Sequence, residues 1–310
     1  MFEKELMETN SEVSQTSIIA VGNQKGGVGK TTTTVHMAAA LGEIGRKCLI
    51  IDLDMNQGAK RHLGIPSESF LGSFEMLTGE ERAEDVIITG DDNDVDLPTN
   101  VHLIAARRNL EKIDKALLGI NKFLITQDIL LAPLRELEGK YDYVFLDTAP
   151  NATTPTIAAY KSAHWFILAA MPDPFAIAGL NDALTDIQSA QLNGNPGLRV
   201  LGVVLSGVDG RRTRLATALT DYVEHQFAIN ATKSAKFATT ISRSTVIPEA
   251  QRVGKTLFQT APHHKVCEQF RALALEIESR LGRRPESLGN EPVQAPGSEL
   301  DQPLSEVGNG

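Results

Sequence analysis

Six apolar runs punctuate the chain at lengths suited to strands: "TSIIAVG", "KCLIIDLD", "VHLIAA", "YDYVFLDTAP", "HWFILAAM" and "RVLGVVLSGVD". Most are apolar at nearly every position rather than at alternate ones, the pattern of strands covered on both faces. Helical spacing fills residues 30–44, 122–137 and 175–191 between them, and recurs near residues 212–227 and 263–281. Strands alternating with helices predict an α/β fold with a mostly parallel, doubly wound sheet and helices on both faces. The organisation expected is a flexible N-terminus over 1–16, one domain over 17–282, and a disordered acidic tail over 283–310, where Pro, Gly, Ser and acids take over.

Composition narrows the class. The 310 residues are 42% hydrophobic, enough for a substantial core. Cys48 and Cys267 lie far apart in apolar segments, which points to neither a disulfide framework nor a thiolate metal site. No apolar run approaches the roughly eighteen residues of a membrane span, and the polar, acidic first residues do not resemble a signal peptide, so a cytoplasmic protein is expected.

The net charge of −9 is unevenly spread. Nine acids stand against Arg82 alone over 75–96, whereas nine Lys or Arg stand against four acids over 199–255. A solvated surface explains such a bias as readily as a polyanion partner does.

The chemistry concentrates in "VGNQKGGVGKTTTTVHMAAALG", between the first strand and the first helix. Gly26, Gly27, Val28 and Gly29 bring backbone amides close to phosphate oxygens at a helix N-terminus. Lys30 is placed for the β- and γ-phosphates, Thr31 for magnesium, and Thr32 completes the binding segment. The pattern G-x-x-x-x-G-K-[ST] asks for glycine where Gln24 stands, and Lys25 adds a second lysine. Two acidic strand ends follow. Period-2 alternation puts Asp52 and Asp54 on one side of the departing strand, as magnesium ligands or as cap and turn residues. Asp147 follows an apolar run, where phosphate-loop NTPases hold a magnesium water, and Asp142 before that run reads as a turn residue.

"KGGVGKTTTT", "IDLDMNQGA" and "YDYVFLDTAP", in this order, resemble the ParA/MinD family of deviant Walker A ATPases. "MPDPFAIAGLNDAL" and "TTISRSTVIPEAQRVGKTLF" are similar to its ParA (Soj-like) branch. The resemblance implies a phosphate-loop NTPase that hydrolyses ATP with Mg²⁺. Lys25 is then the signature lysine, reaching the partner's ATP across a sandwich homodimer, with Lys30 and Asp54 as the other catalytic residues and Thr31, Asp52 and Asp147 around the metal. The family commonly has D-P-Q-G-N where this chain has "DMNQGA", and asparagine where His36 stands.

For partners, the resemblance implies non-specific double-stranded DNA, contacted by Arg211, Arg212, Arg214 and Arg243, and a ParB-like or other adaptor that stimulates hydrolysis, hence a nucleoid-associated location. Only about sixteen residues precede the first strand, so no N-terminal helix-turn-helix is expected. The acidic, proline-interrupted tail is unlike the basic amphipathic helix of a MinD-type membrane binder. The expected function is segregation or positioning of a plasmid, chromosome or protein cargo. The alternatives are a protein-binding nucleotide switch with little hydrolysis, or a MinD-like membrane-associated ATPase.

Overall fold

The computed structural model describes residues 16–66, 70–91, 95–120, 128–209, 214–226 and 234–283. Seven strands, β1 (Ser17–Gly22), β2 (Cys48–Asp52), β3 (Val101–Ile104), β4 (Tyr143–Asp147), β5 (Trp165–Ala170), β6 (Arg199–Val208) and β7 (Lys236–Ser242), form one sheet of order β3-β2-β4-β1-β5-β6-β7. Every pair of these strands is parallel. The helices are α1 (Lys30–Glu43), α2 (Gly58–His62), α3 (Ser73–Thr78), α4 (Ile113–Ile120), α5 (Leu131–Glu136), α6 (Thr154–Ser162), α7 (Ala176–Leu192), α8 (Arg214–Gln226), α9 (Val246–Arg252), α10 (Leu257–Thr260) and α11 (Lys265–Arg280).

Alternation along the strands divides the interior into two cores. Ile19, Val21, Ile50 and Phe145 pack with α1, α2 and α9 to α11, while Ala20, Leu49, Ile51, Val144 and Leu146 pack with α3 to α8. Both sets are buried, which is why the strands read as continuous apolar runs. Cys48 and Cys267 are free and buried in the first core.

Two expectations need correction. The helix expected over 122–137 is not continuous: α4 ends at Ile120, α5 spans Leu131–Glu136, and 121–127 lie outside the described residues. Pro133 has no N–H to give the carbonyl four residues earlier, so a helix through it starts close by. Strand β7 has no counterpart among the six apolar runs. It is a sheet edge, paired only with β6 through irregular register, and buries Phe237 and Ile241 between half-exposed threonines, so neither a continuous nor a regular alternating pattern marks it. The N-terminus through residue 15 and the tail from 284 lie outside the described residues.

Candidate nucleotide site

The central strands β2, β4 and β1 bring the site together at their C-terminal ends. Asp52 and Asp147, last residues of β2 and β4, are register partners, and α1 begins with Lys30 directly after the glycine loop. Gly27 and Gly29 take φ of 75° and 87°, the left-handed region that a side chain would strain, and among the described residues nothing lies within 4 Å of where a Cβ on Gly26 or Gly27 would sit. Val28 is buried beneath this open cradle, while Thr32 is half-buried.

The side chains around the cradle are connected. Thr31 Oγ1 donates to Asp147 Oδ2 at 2.7 Å, and Thr34 Oγ1 donates to the Lys30 carbonyl at 3.0 Å. Asp52 Oδ1 accepts the Asp54 N–H and Oδ2 the Ala59 N–H, both at 3.0 Å, so this buried carboxylate ties the loop after β2 to α2. Burial pushes both Asp52 and Asp147 above the usual carboxylate range; the charge of Asp147 adds to the shift of Asp52, and that of Asp54 to the shift of Asp147. Lys30 is 7% exposed; desolvation lowers its pKa, and Asp147 and Asp54 oppose that shift. Two desolvated carboxylates beside a threonine hydroxyl form an oxygen donor set of the kind hard divalent cations take, and the fit to Mg²⁺ is good.

Asp54 differs from Asp52. The strand ends at Asp52, so alternation does not carry over, and Asp54 is half-buried with Oδ1 accepting the Asn56 N–H and Nδ2 at 2.9 Å each. The turn reading accounts for those contacts, while its charge still reaches Lys30.

The two loop lysines have different surroundings. Lys30 Nζ donates to the Lys25 carbonyl at 3.1 Å. The Lys25 ammonium instead pairs with Asp173 and lies 5.5 Å from the centre of the exposed Phe175 ring. Asp173 Oδ1 also accepts the Phe175 N–H at 2.8 Å. Around it, Asn23 Nδ2 donates to the Ala169 carbonyl at 2.8 Å and Gln24 Nε2 to Asp186 Oδ2 at 2.6 Å, joining the loop to β5 and α7. A Cβ on Gly179 would stand 2.8 Å from Asn23 Oδ1 and 3.2 Å from Lys25 Cβ, so α7 approaches the loop as closely as glycine allows. Asp173, Asp186 and Asn23 are the residues sequence reasoning missed; only the polar "PDP" after an apolar strand marks one of them.

His36 is fully buried. Its Nδ1 is 2.9 Å from the Thr32 carbonyl, its Nε2 accepts the Leu257 N–H at 3.3 Å, and its ring stacks on Phe270. Burial lowers its pKa to about 4, so it packs as the neutral ring. Gln251 Nε2 reaches both Thr32 Oγ1 at 3.1 Å and His62 Nδ1 at 3.2 Å, linking α9 to the loop helix.

Of the four arginines expected at DNA, Arg211 and Arg212 lie outside the described residues. Arg214 opens α8 and is exposed, and Arg243 follows β7 with a side chain 69% exposed and Nε 3.6 Å from Asp209 Oδ1. Both stand on the β6–β7 side of the sheet, away from the cradle strands.

Residues 16–200 match the AAA domain family. The chain is 33% identical over 263 residues to the chromosome-partitioning ATPase Soj of Thermus thermophilus, covering 85% of this chain and 96% of that protein. Its fold matches a solved structure of cobyrinic acid a,c-diamide synthase from Mycobacterium smegmatis with an ATP analogue and magnesium bound, at TM-score 0.71 and 26% identity, over 86% of this chain and 97% of the other. The septum site-determining protein MinD of Pyrococcus horikoshii, complexed with Mg-ADP, shares the fold at TM-score 0.67 and 24% identity, over 86% and 98%. No described helix is long and apolar enough to cross a membrane. On these grounds the chain belongs to the ParA/MinD family of ATPases.

Proposed function

We propose that residues 17–282 form one ATPase domain that binds Mg-ATP, closes as a sandwich homodimer, binds double-stranded DNA non-specifically in that state, and is released when an adaptor stimulates hydrolysis. The cradle of Gly26 to Gly29 with Lys30 and Thr32 holds the phosphates, and Thr31, Asp52 and Asp147 hold Mg²⁺, which supplies positive charge to the phosphate oxygens when bound. Asp54 orients water. The relationship to a chromosome-partitioning ATPase supports segregation or positioning as the task.

One observation carries the reading: Lys25 projects to Asp173 at the rim rather than sharing the Lys30 environment. A cation held there neutralises phosphate charge only if something moves it, and closure of a second subunit around the nucleotide supplies that change, coupling ATP to dimerisation. The test is light scattering of Asp54→Ala in Mg-ATP and Mg-ADP, alone and combined with Lys25→Ala. A dimer in ATP that Lys25→Ala abolishes is expected, and an unchanged dimer with Lys25→Ala contradicts the assignment.

A second reading, a nucleotide switch with negligible turnover, is favoured by the Asn56 groups already occupying Asp54 Oδ1. Single-turnover hydrolysis with and without DNA and adaptor separates the two.

A further inference from the structure

A second cavity, of about 570 Å³, opens beside the loop that carries Asp54. It is lined by Gln57, Lys60 and Arg61 of the α2 segment, by Ile65, and by Arg107, Arg108 and Asn109 just after β3. Four cationic side chains line it, and no carboxylate does so among the described residues. Their states differ. Arg107 is fixed through Nη1 to the buried Glu75 at 3.0 Å, and the same Glu75 oxygen accepts Asn109 Nδ2 at 3.0 Å. Arg61 and Arg108 are exposed at the mouth and make no side-chain hydrogen bond or ion pair among the described residues. Asn109 Oδ1 is buried without a hydrogen-bond partner among the described residues.

Guanidinium groups left unpaired around one concavity repel each other, and an arrangement of this kind is relieved by an anion that several forks share. The volume falls in the range of small-ligand sites, larger than one carboxylate side chain fills. The floor is tied to the nucleotide site, because Gln57, at φ 58°, caps α2 and gives its N–H to the Asp54 carbonyl at 2.8 Å.

We infer that this cavity binds a phosphate group, presented either by a nucleic-acid backbone or by a free phosphorylated small molecule. The nucleic-acid source rests on the DNA-binding reading above, and the small-molecule source does not.

Inorganic pyrophosphate is the probe. With the nucleotide cleft saturated by Mg-ADP, it is titrated by calorimetry into the full chain and into Arg61→Ala/Arg108→Ala. Removing two charge-assisted hydrogen-bonding groups is expected to weaken binding by roughly tenfold or more. In parallel, a random-sequence duplex is titrated in Mg-ATP across a salt series, where two fewer neutralised phosphates lower the slope of log K on log salt by about 2. A lowered slope assigns the cavity to the nucleic-acid backbone, and weakened pyrophosphate binding with an unchanged slope assigns it to a free ligand. Equal behaviour of wild type and variant in both titrations overturns the inference, as does binding of an acidic peptide in place of pyrophosphate. Wild type that binds no DNA in ATP sinks the DNA reading alone, leaving pyrophosphate to decide. A circular dichroism melt checks that the variant folds, and Arg108→Gln repeats both titrations with one exposed side chain changed.

Discussion

The cradle at β1, β2 and β4 and the outer edge at β6 and β7 carry charge in opposite ways. In the cradle Asp52, Asp147 and Lys30 are buried and joined to neighbouring hydroxyls, amides and carbonyls. At the edge Arg214 and Arg243 stand in solvent, with a single long ion pair, between Arg243 and Asp209, among the described residues. Buried charges interact strongly because little water screens them, and exposed ones act at longer range and fade with salt. Buried charge suits recognition of a single phosphate group, and exposed arginines suit the proposed contact with DNA of any sequence.

The largest effect expected from the buried region is on stability against pH. His36 is held neutral with a pKa of about 4, against roughly 6.5 unfolded. The unfolded chain therefore takes up the proton first, and stability is full above about pH 6.5 and lost as pH falls towards 4. This group alone contributes about 3 kcal/mol across that window, and His62, also depressed by burial, acts in the same direction. Urea midpoints at pH 7 and pH 4.5 check this, and the difference should shrink in His36→Gln.

Asp147 has the opposite sign. Its raised pKa means that the ionised carboxylate destabilises the nucleotide-free fold once pH exceeds the unfolded value near 4, increasingly up to the folded value. Asp147→Asn should therefore melt higher than wild type at pH 7 without nucleotide, by about 2–4 °C for each kcal/mol relieved, and lose that advantage near pH 4. The same variant should lose the magnesium dependence of ATP binding, a combination that a purely structural aspartate would not produce.

The cradle was the legible half of the molecule. Gly27, Gly29, Lys30 and Asp147 could be placed because a strand, a glycine-rich turn and a helix leave marks at fixed spacing. Asp54 was half legible: alternation predicted a partner for Asp52, but the strand ends at Asp52 and the next residues turn. Asp173 was hidden because a salt bridge across 148 residues leaves no local pattern. Strand β7 was hidden because an edge needs apolar residues on only part of its surface. His36 could be read as packed or functional from its sequence, and Phe270 and Leu257, both far along the chain, make it packed.

Smaller effects sharpen the contrast at the rim and the edge. The Lys25–Asp173 pair is partly exposed, with side chains 28% and 29% accessible, so it is worth about 0.2–1 kcal/mol. Asp173→Asn should leave nucleotide affinity nearly unchanged and strengthen ATP-dependent dimerisation by up to roughly fivefold, read by sedimentation equilibrium. At the edge, Arg243→Ala should lower the slope of log K on log salt by about 1 for each phosphate no longer neutralised and leave ATP affinity alone. A change in ATP affinity would move Arg243 from the proposed DNA surface to the nucleotide.

The most direct measurement is fluorescence anisotropy of a random-sequence duplex with the protein in Mg-ATP and in Mg-ADP, at low and moderate salt. The account predicts tight, salt-sensitive binding in ATP that is lost in ADP and in Lys25→Ala. Equal binding in both nucleotides, or none in either, would contradict it and leave a nucleotide switch that acts on proteins.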